Sequence, residues 1–360
     1  MYEQAQTVVT LQIDGKTVSV PKNTTILQAA RDAGINIPTL CHHKDMLPDG
    51  SCRMCVVEVE GGRKGGLPTS CTELCAEGMV ISTNSERVRK SRRFVLDLLL
   101  SNHVIDCFSC ARNGDCALQD YSLEYGLERT SFIGKRSAPV PVDASNPFYT
   151  FDASKCIMCR RCARVCETLQ GKHTLSIAER GFATRIATCH DTPRIDPDCE
   201  LCGNCVAACP TGALSDKGQK NTFRAYEVKK TQTTCPHCAV GCQFNLLTKN
   251  NALVGVEPVD GPSNNGMLCV KGRYGSYSFV QAQDRLTKPL IKRDGEFVES
   301  SWDEALSLIA DRLTQIKAEH GAAAIAGFSC SRATNEDNYL FQKMMRAGVG
   351  TNNVDNCARV

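Results

Sequence analysis

Along residues 7–20 apolar and polar positions alternate. Val9, Leu11 and Ile13 lead into Asp14-Gly15, and Val18 and Val20 return from it. Period-two runs on either side of Asp-Gly predict a β-hairpin. The period then lengthens: Thr24 or Thr25 can cap a helix whose face is Ile26, Leu27, Ala30 and Ala33, with Gly34 as its stop. Val56, Val57 and Val59 predict a strand. Residues 85–100 predict an amphipathic helix with Val88, Val95, Leu98 and Leu99 as its face and a solvated basic side of Arg87, Arg89, Lys90, Arg92 and Arg93. Residues 135–155, with Pro139, Pro141 and Pro147, and the polar segment 215–234 lack periodicity and predict linkers. From Ser301 the pattern becomes a helix (Leu306, Ile309, Leu313, Ile316), a buried strand from Ala322 to Phe328, and a helix starting near Thr334.

A chain of 360 residues allows about two or three ordinary domains. With 42 basic and 39 acidic residues the net charge is +3, too balanced to argue for nucleic acid or an anionic membrane. The 23 cysteines change the picture. A secreted disulfide scaffold of this density would be much shorter and would follow a signal peptide, whereas the first six residues here are polar. No stretch approaches the ~20 apolar residues of a membrane span. The expectation is a soluble, reducing, cytoplasmic setting with thiolates held on metal. Inorganic clusters then replace part of each apolar core, and the apo-chain folds poorly.

Two runs carry the strongest chemistry. Cys156, Cys159, Cys162 and Cys166 form one C-x2-C-x2-C-x3-C; Cys199, Cys202, Cys205 and Cys209 form the other, closed by Pro210. This spacing holds a pair of [4Fe–4S] cubanes. Three close thiolates wrap one cube and the fourth is carried to the other. The sets are therefore Cys156, Cys159, Cys162 and Cys209, and Cys199, Cys202, Cys205 and Cys166. Four-cysteine zinc knuckles are the bland alternative, but they separate two C-x2-C pairs by a long loop. Arg160, Arg161 and Arg164 lie among the ligands; positive charge there favours reduced clusters, and solvated arginines are the plain reading. Cys189 and His190 fall outside both runs and are read as non-ligands.

The remaining cysteines are understood through resemblance. Hairpin, helix, strand and the spacing of Cys41, Cys52, Cys55 and Cys71 (C-x10-C-x2-C-x15-C) resemble the β-grasp [2Fe–2S] domain that opens complex I's large peripheral subunit and the iron-only hydrogenases. Cys75 competes with Cys71 for the fourth place. The family's closing segment, like Pro68-Thr69-Ser70-Cys71 followed by Glu77-Gly78-Met79-Val80, favours Cys71 and leaves Cys75 a buried thiol. His103, Cys107, Cys110 and Cys116 resemble the one-histidine, three-cysteine [4Fe–4S] site of the same families. A neutral imidazole in place of a thiolate raises the cluster potential. Cys235, Cys238, Cys242 and Cys269 (C-x2-C-x3-C-x26-C) resemble the N-terminal [4Fe–4S] domain of molybdopterin oxidoreductases. Lys271 matches that family's lysine between cluster and pterin, while His237 reads as loop structure. Nineteen of the cysteines and His103 are then ligands, leaving Cys75, Cys189, Cys330 and Cys357.

Together these imply an α+β multidomain chain. Its parts are a β-grasp [2Fe–2S] domain over 1–82, a one-histidine/three-cysteine [4Fe–4S] domain over 83–134, and a bacterial-type two-cluster ferredoxin domain over 150–214. A molybdopterin-oxidoreductase [4Fe–4S] domain over 228–284 and the α/β beginning of the molybdopterin domain over 285–360 complete it. The closing text, Asn353-Val354-Asp355-Asn356-Cys357-Ala358-Arg359-Val360, resembles formate dehydrogenases, in which selenocysteine or cysteine follows at once as the metal ligand. The resemblance places no catalytic ligand within the chain. It puts that ligand immediately after Val360, with the chain ending at a selenocysteine codon read as termination, and leaves Cys330 and Cys357 structural. It implies one [2Fe–2S] and four [4Fe–4S] clusters, with a molybdenum or tungsten bis-molybdopterin guanine dinucleotide in the full-length protein. Electrons from formate would leave through the Cys235 cluster, pass the paired cubanes and exit through the His103 and Cys41 sites. With no G-x-G-x-x-G or Walker A run here, NAD(P) and flavin would sit on a partner resembling the complex I flavoprotein, beside a thioredoxin-like [2Fe–2S] subunit. Ferredoxin or hydrogenase subunits are further candidate partners. Three rivals remain: an iron-only hydrogenase, a complex I large subunit, and an electron-transfer module that catalyses nothing.

Overall fold

The computed structural model describes residues 7–60, 66–132, 141–188, 198–218, 222–238, 240–275 and 277–357. The six N-terminal residues, Pro139, Cys189, His190 and the closing Ala358 to Val360 lie outside them. The chain divides into two compact units, Met1–Lys229 and Lys230–Val360.

The first unit opens with β1 (Val8–Ile13) and β2 (Lys16–Pro21), an antiparallel hairpin. Asp14 and Gly15 both take positive φ at its tip, as a type I′ turn requires. Helix α1 (Ile26–Asp32) follows, with the Thr25 hydroxyl accepting from Gln28 N at 3.2 Å. Strands β3 (Glu58–Val59) and β4 (Val80–Ser82) complete a sheet in the order β2-β1-β4-β3, with β4 parallel to β1. This is a β-grasp arrangement. Val9, Leu11 and Ile13 bury against Ile26, Leu27, Ala29 and Ala30.

Helix α2 (Glu86–Ser101) is capped by Ser85. Its buried side is Val88, Arg92, Leu96 and Leu100, while Leu98 is 44% exposed. The expected face is corrected in phase, and Arg92 is removed from the expected solvated basic side. The run Val95-Leu96-Asp97-Leu98-Leu99-Leu100 is apolar on nearly every position, so pattern alone cannot set its rotation. The i, i+4 line through Leu96 carries an arginine. Helix α3 (Ala117–Glu124) packs beside it through Leu118.

Strand β5 (Tyr149–Phe151), helix α4 (Arg161–Arg164), strands β6 (Leu175–Ala178) and β7 (Arg185–Thr188), helix α5 (Asn204–Ala208) and strand β8 (Leu214–Asp216) complete the first unit. β5 pairs antiparallel with β8, tying the segment's two ends together. The expected linker 135–155 therefore contains a strand, whose alternation is too short to register in the pattern.

The second unit begins with a three-stranded sheet of β9 (Lys229–Thr234), β10 (Gln243–Lys249) and β11 (Ala252–Pro258), then helix α6 (Val270–Tyr274). β9 takes over the end of the expected linker 215–234. A hairpin of β12 (Leu290–Arg293) and β13 (Glu296–Glu299), helix α7 (Trp302–His320), strand β14 (Gly327–Ser329), helix α8 (Asn335–Lys343) and strand β15 (Val354–Asn356) follow. β14 and β15 run parallel. The expected buried strand from Ala322 to Phe328 is corrected. Ala322–Ala324 forms a 3-10 turn, Ile325 is buried, and Phe328 is 80% exposed. Three alanines bury too little side chain to hold an extended strand against a core. Among the described residues no helix is long and apolar enough to cross a membrane.

One apolar cluster of the first unit gathers Leu40, Cys41, Cys52, Met54, Leu96, Leu100, Leu118, Tyr125, Ile157 and Cys159, with Cys116 against it. Residues from three separate stretches of sequence share it. Leu96→Ala should cost roughly 2–5 kcal/mol in urea unfolding followed by circular dichroism. Leu98→Ala should cost less than about 1 kcal/mol.

Candidate metal centres

The Cys41 loop is fastened to the β-grasp by its backbone. Ser70 N donates to Cys55 O at 3.0 Å and Leu27 N to Ser70 O at 2.9 Å. Four thiols meet there as two pairs, Cys41 with Cys52, and Cys55 with Cys71 at 3.3 Å between sulfurs. In each pair one thiol is drawn down and the other pushed up. Cys41 is drawn down to about 5, chiefly by its bond with Cys52, and Cys55 to about 7, chiefly by its bond with Cys71. Their partners Cys52 and Cys71 are pushed up, first by those same bonds and then by burial. Two sulfur pairs suit a two-iron rhomb, each iron needing two thiolates. Cys75 sits in the β-grasp core, and burial is the single cause that raises its thiol.

The two cubane-spaced runs adopt the same backbone. Met158 and Leu201 have φ +53° and +57°; Arg160 and Gly203 have φ +61° and +70°. Two left-handed residues per loop curl three cysteines inward. Cys156 Sγ accepts from Met158 N at 3.4 Å, as Cys199 Sγ does from Leu201 N at 3.4 Å. One small cavity is bordered by Cys156, Cys159, Cys162 and Cys209. Another is bordered by Cys166, Cys199, Cys202 and Cys205. Burial, then Cys209, pushes the Cys159 thiol up to about 12, and Cys162 rises for the same reasons. Thiols crowd these walls, and a polynuclear cation would relieve the charge that their deprotonation creates. Among the described residues no three His, Cys, Asp or Glu side chains are placed to hold a single metal ion. A cube asks for something else, since each corner iron takes its own sulfur.

His103 is buried at the end of α2, its N–H donating to Leu100 O at 3.1 Å. Cys110 N donates to Cys107 O at 3.2 Å. Cys116 is raised first by burial, and Cys110 adds to the rise. This loop abuts the paired-cubane segment. Ala117 N donates to Pro210 O at 3.1 Å, one residue beyond Cys116 and Cys209 respectively. Lys155 Nζ lies 3.0 Å from Asp106 and 3.5 Å from Asp152. Burial works to lower Lys155, but Asp106 and the neighbouring Cys110 raise it overall. Arg160 pairs with Asp49 at 2.5 Å and Arg164 donates to Leu47 O, so these arginines tie the Cys41 loop to the paired-cubane segment. Arg224 donates to Cys110 O at 2.9 Å and Phe108 O at 2.6 Å, so part of the expected linker 215–234 braces this loop.

In the second unit Cys235 closes β9 and Cys242 opens β10, joined by Cys235 N to Cys242 O at 2.8 Å. Cys269 caps α6, its Sγ accepting from Gly272 N at 3.5 Å. Burial raises Cys235 first, then Cys238 and Cys269; Cys242 feels burial and all three other sulfurs. Asn264 holds the returning loop by donating to Gln243 O, Val259 O and Met267 O. The Tyr277 hydroxyl donates to Gly272 O at 2.8 Å and is pushed up by burial and by Cys235. Lys271 is exposed on α6. Cys330 and Cys357 form a separate pair, 3.6 Å apart between sulfurs, one residue past the ends of β14 and β15.

Spacing did not reveal Gly212, Lys155, Arg224 or Tyr277. Gly212 had a signal in Pro210-Thr211-Gly212 directly after a ligand-type cysteine; Arg224 had none, in a polar segment without periodicity.

Five family models match in succession. They are a 2Fe-2S iron-sulfur cluster binding domain (6–86), the NADH-ubiquinone oxidoreductase-G iron-sulfur binding region (92–131) and an NADH-quinone oxidoreductase subunit 3 ferredoxin-like domain (146–215). The molybdopterin oxidoreductase Fe4S4 domain (228–280) and molybdopterin oxidoreductase (285–360) follow. The chain is 40% identical to the NADPH-Fe(3+) oxidoreductase subunit alpha of Geobacter sulfurreducens, over 98% of this chain and 40% of that one. It is 33% identical to a putative formate dehydrogenase of Staphylococcus aureus, over 99% of this chain and 39% of that one. The chain thus spans about 40% of the length of these curated relatives. A crystal structure of an NAD+-reducing [NiFe]-hydrogenase in the H2-reduced state is 32% identical with a TM-score of 0.55, over 60% of this chain and 90% of that one.

A Cβ built on Gly212 would collide with Cys110 Sγ. Gly212→Ala should therefore displace that sulfur and remove about four irons per chain. Gly218→Ala, which meets nothing within 4 Å, should leave the iron content unchanged. Iron analysis of the two variants checks this.

Proposed function

The chain carries an NADH-quinone oxidoreductase G-like, molybdopterin-oxidoreductase iron–sulfur region, and from that premise we propose that it is the electron-relaying part of a formate dehydrogenase. The observation that carries the relay is the shared core of the first unit, where Cys41, Cys52, Cys116 and Cys159 pack on one set of apolar side chains. Sulfur sites wedged into one apolar core are fixed relative to one another by close packing.

When bound, the clusters supply one-electron carriers, and the molybdenum or tungsten bis-pterin centre of the whole protein supplies the two-electron chemistry of formate and CO2. The chain's own residues do the holding. Cys41, Cys52, Cys55 and Cys71 take the [2Fe–2S] cluster. His103, Cys107, Cys110 and Cys116 take one [4Fe–4S]. Cys156, Cys159, Cys162 and Cys209 take a second, Cys199, Cys202, Cys205 and Cys166 a third, and Cys235, Cys238, Cys242 and Cys269 a fourth. Lys271, two residues past the last of these and exposed on α6, would lie between the cluster and the pterin. Lys155 offsets negative charge beside Cys110. The flavin and NAD(P) sit on a partner like the complex I flavoprotein, with a thioredoxin-like [2Fe–2S] subunit beside it, in the cytoplasm.

Formate as substrate is supported by the closing residues 353–360 and by the relative named a putative formate dehydrogenase. A second reading, a module that serves an NAD(P)-linked assembly without formate, is favoured by the likeness to the NAD+-reducing hydrogenase. In the whole protein, formate-dependent reduction of a viologen dye supports the first. NAD(P)H-dependent reduction with no response to formate supports the second and removes the first. The loaded 360-residue chain should hold roughly eighteen irons; zinc in their place would end both readings. His103→Cys should lower the midpoint of its own cluster by on the order of 100 mV in an EPR-monitored redox titration, since a thiolate adds negative charge.

A further inference from the structure

Arg92 lies in the middle of α2 and is 2% exposed. A guanidinium is always charged, and a buried charge needs an opposite one or a metal site beside it. Among the described residues Arg92 has no carboxylate partner. Its two terminal nitrogens donate to neutral oxygens, one to the Tyr125 hydroxyl at 3.0 Å and one to Val56 O at 2.8 Å. Its buried Nε–H donates to none. The buried acid on the same helix, Asp97, accepts from Ser131 N at 2.7 Å and the Thr130 hydroxyl at 3.0 Å instead.

Both partners of Arg92 adjoin the Cys41 site. Val56 directly follows Cys55, and Tyr125 shares one core with Cys41 and Cys52. Four thiolates around two ferric ions and two sulfides carry a net negative charge, and reduction adds another. We propose that Arg92 is the built-in counter-charge of the [2Fe–2S] centre held by Cys41, Cys52, Cys55 and Cys71: a positioning residue that favours its reduced state and fixes the backbone after Cys55. This rests on the [2Fe–2S] assignment made above. The forked geometry matters as well as the charge, because one planar group reaches both Val56 O and Tyr125. No signal in the sequence marked it, since Arg92 sits among four other basic residues of the helix.

The test is an EPR-monitored redox titration of the loaded chain, comparing wild type with Arg92→Met, Arg92→Lys and Tyr125→Phe. Arg92→Met should reduce the ratio of reduced to oxidised [2Fe–2S] at fixed potential about tenfold, a midpoint drop of about 59 mV for one electron. Arg92→Lys, which keeps the charge, should shift it by a smaller factor. Tyr125→Phe, which removes a bond and no charge, should leave it in place. Iron retention by the loaded chain under a chelator supplies the second readout. The counter-charge role makes Arg92→Met release the two [2Fe–2S] irons sooner than Tyr125→Phe does, while Arg92→Lys holds them close to the wild-type rate. That comparison holds even if Arg92→Met never retains the cluster: loss in Arg92→Met with retention in Arg92→Lys supports the role. Equal loss in Arg92→Met and Arg92→Lys, or a midpoint potential that Arg92→Met leaves unmoved, overturns it. A wild-type chain with no reducible [2Fe–2S] signal overturns the site assignment itself, which distinguishes that failure from this one.

Discussion

Four thiolates cannot share a buried pocket unless a cation stands among them. Like charges at contact distance in a low dielectric repel, and burial adds to the cost of each. The first unit is organised by that constraint. Around Cys159 and Cys162, burial and neighbouring sulfurs push the thiols up. Where two sulfurs pair, as in Cys41–Cys52 and Cys55–Cys71, one of each pair gives way to the other. Iron is the charge that lets all of them ionise together. Metal loading and the final packing of this unit are therefore one event.

The same constraint explains how the surrounding cations are used. Lys155 sits beside Cys110, and Arg160 and Arg164 hold the Asp49 and Leu47 end of the Cys41 loop against the paired-cubane segment. Each spans two stretches that carry cysteine sets, so each does mechanical as well as electrostatic work. A core that includes Cys41, Cys52, Cys116 and Cys159 then fixes three of the sets relative to one another. Rigidity of that kind is what a relay needs, because its rate depends on distance and on little reorganisation.

The loop backbones around the cysteines were legible in the chain because they are written in short spacings. C-x2-C-x2-C-x3-C appears twice, and the structure gives both copies the same pair of left-handed residues and the same N–H to sulfur bond. The hairpin at Asp14-Gly15 and the cap at Thr25, one of the two threonines the pattern offered, were equally local, each set by one or two side chains. What was not legible depends on partners distant in sequence. The rotation of α2 is decided by what Leu96 and Arg92 meet, not by its own periodicity. Arg224 joins the Cys110 loop across more than a hundred residues of chain. The segment from Ala322 failed as a strand because alanines satisfy an apolar pattern while burying little. Gly212 matters through one sulfur that no neighbouring residue announces.

The central claim is that these sulfur sets surround iron and sulfide. Diffraction from crystals of the loaded chain, collected on both sides of the iron absorption edge, tests it most directly. The account predicts iron anomalous density of roughly four atoms inside each of the two cavities bordered by Cys156, Cys159, Cys162 and Cys209 and by Cys166, Cys199, Cys202 and Cys205, and a two-iron peak between the Cys41–Cys52 and Cys55–Cys71 pairs. Cavities without iron density, or a signal that appears at the zinc edge instead, would contradict it.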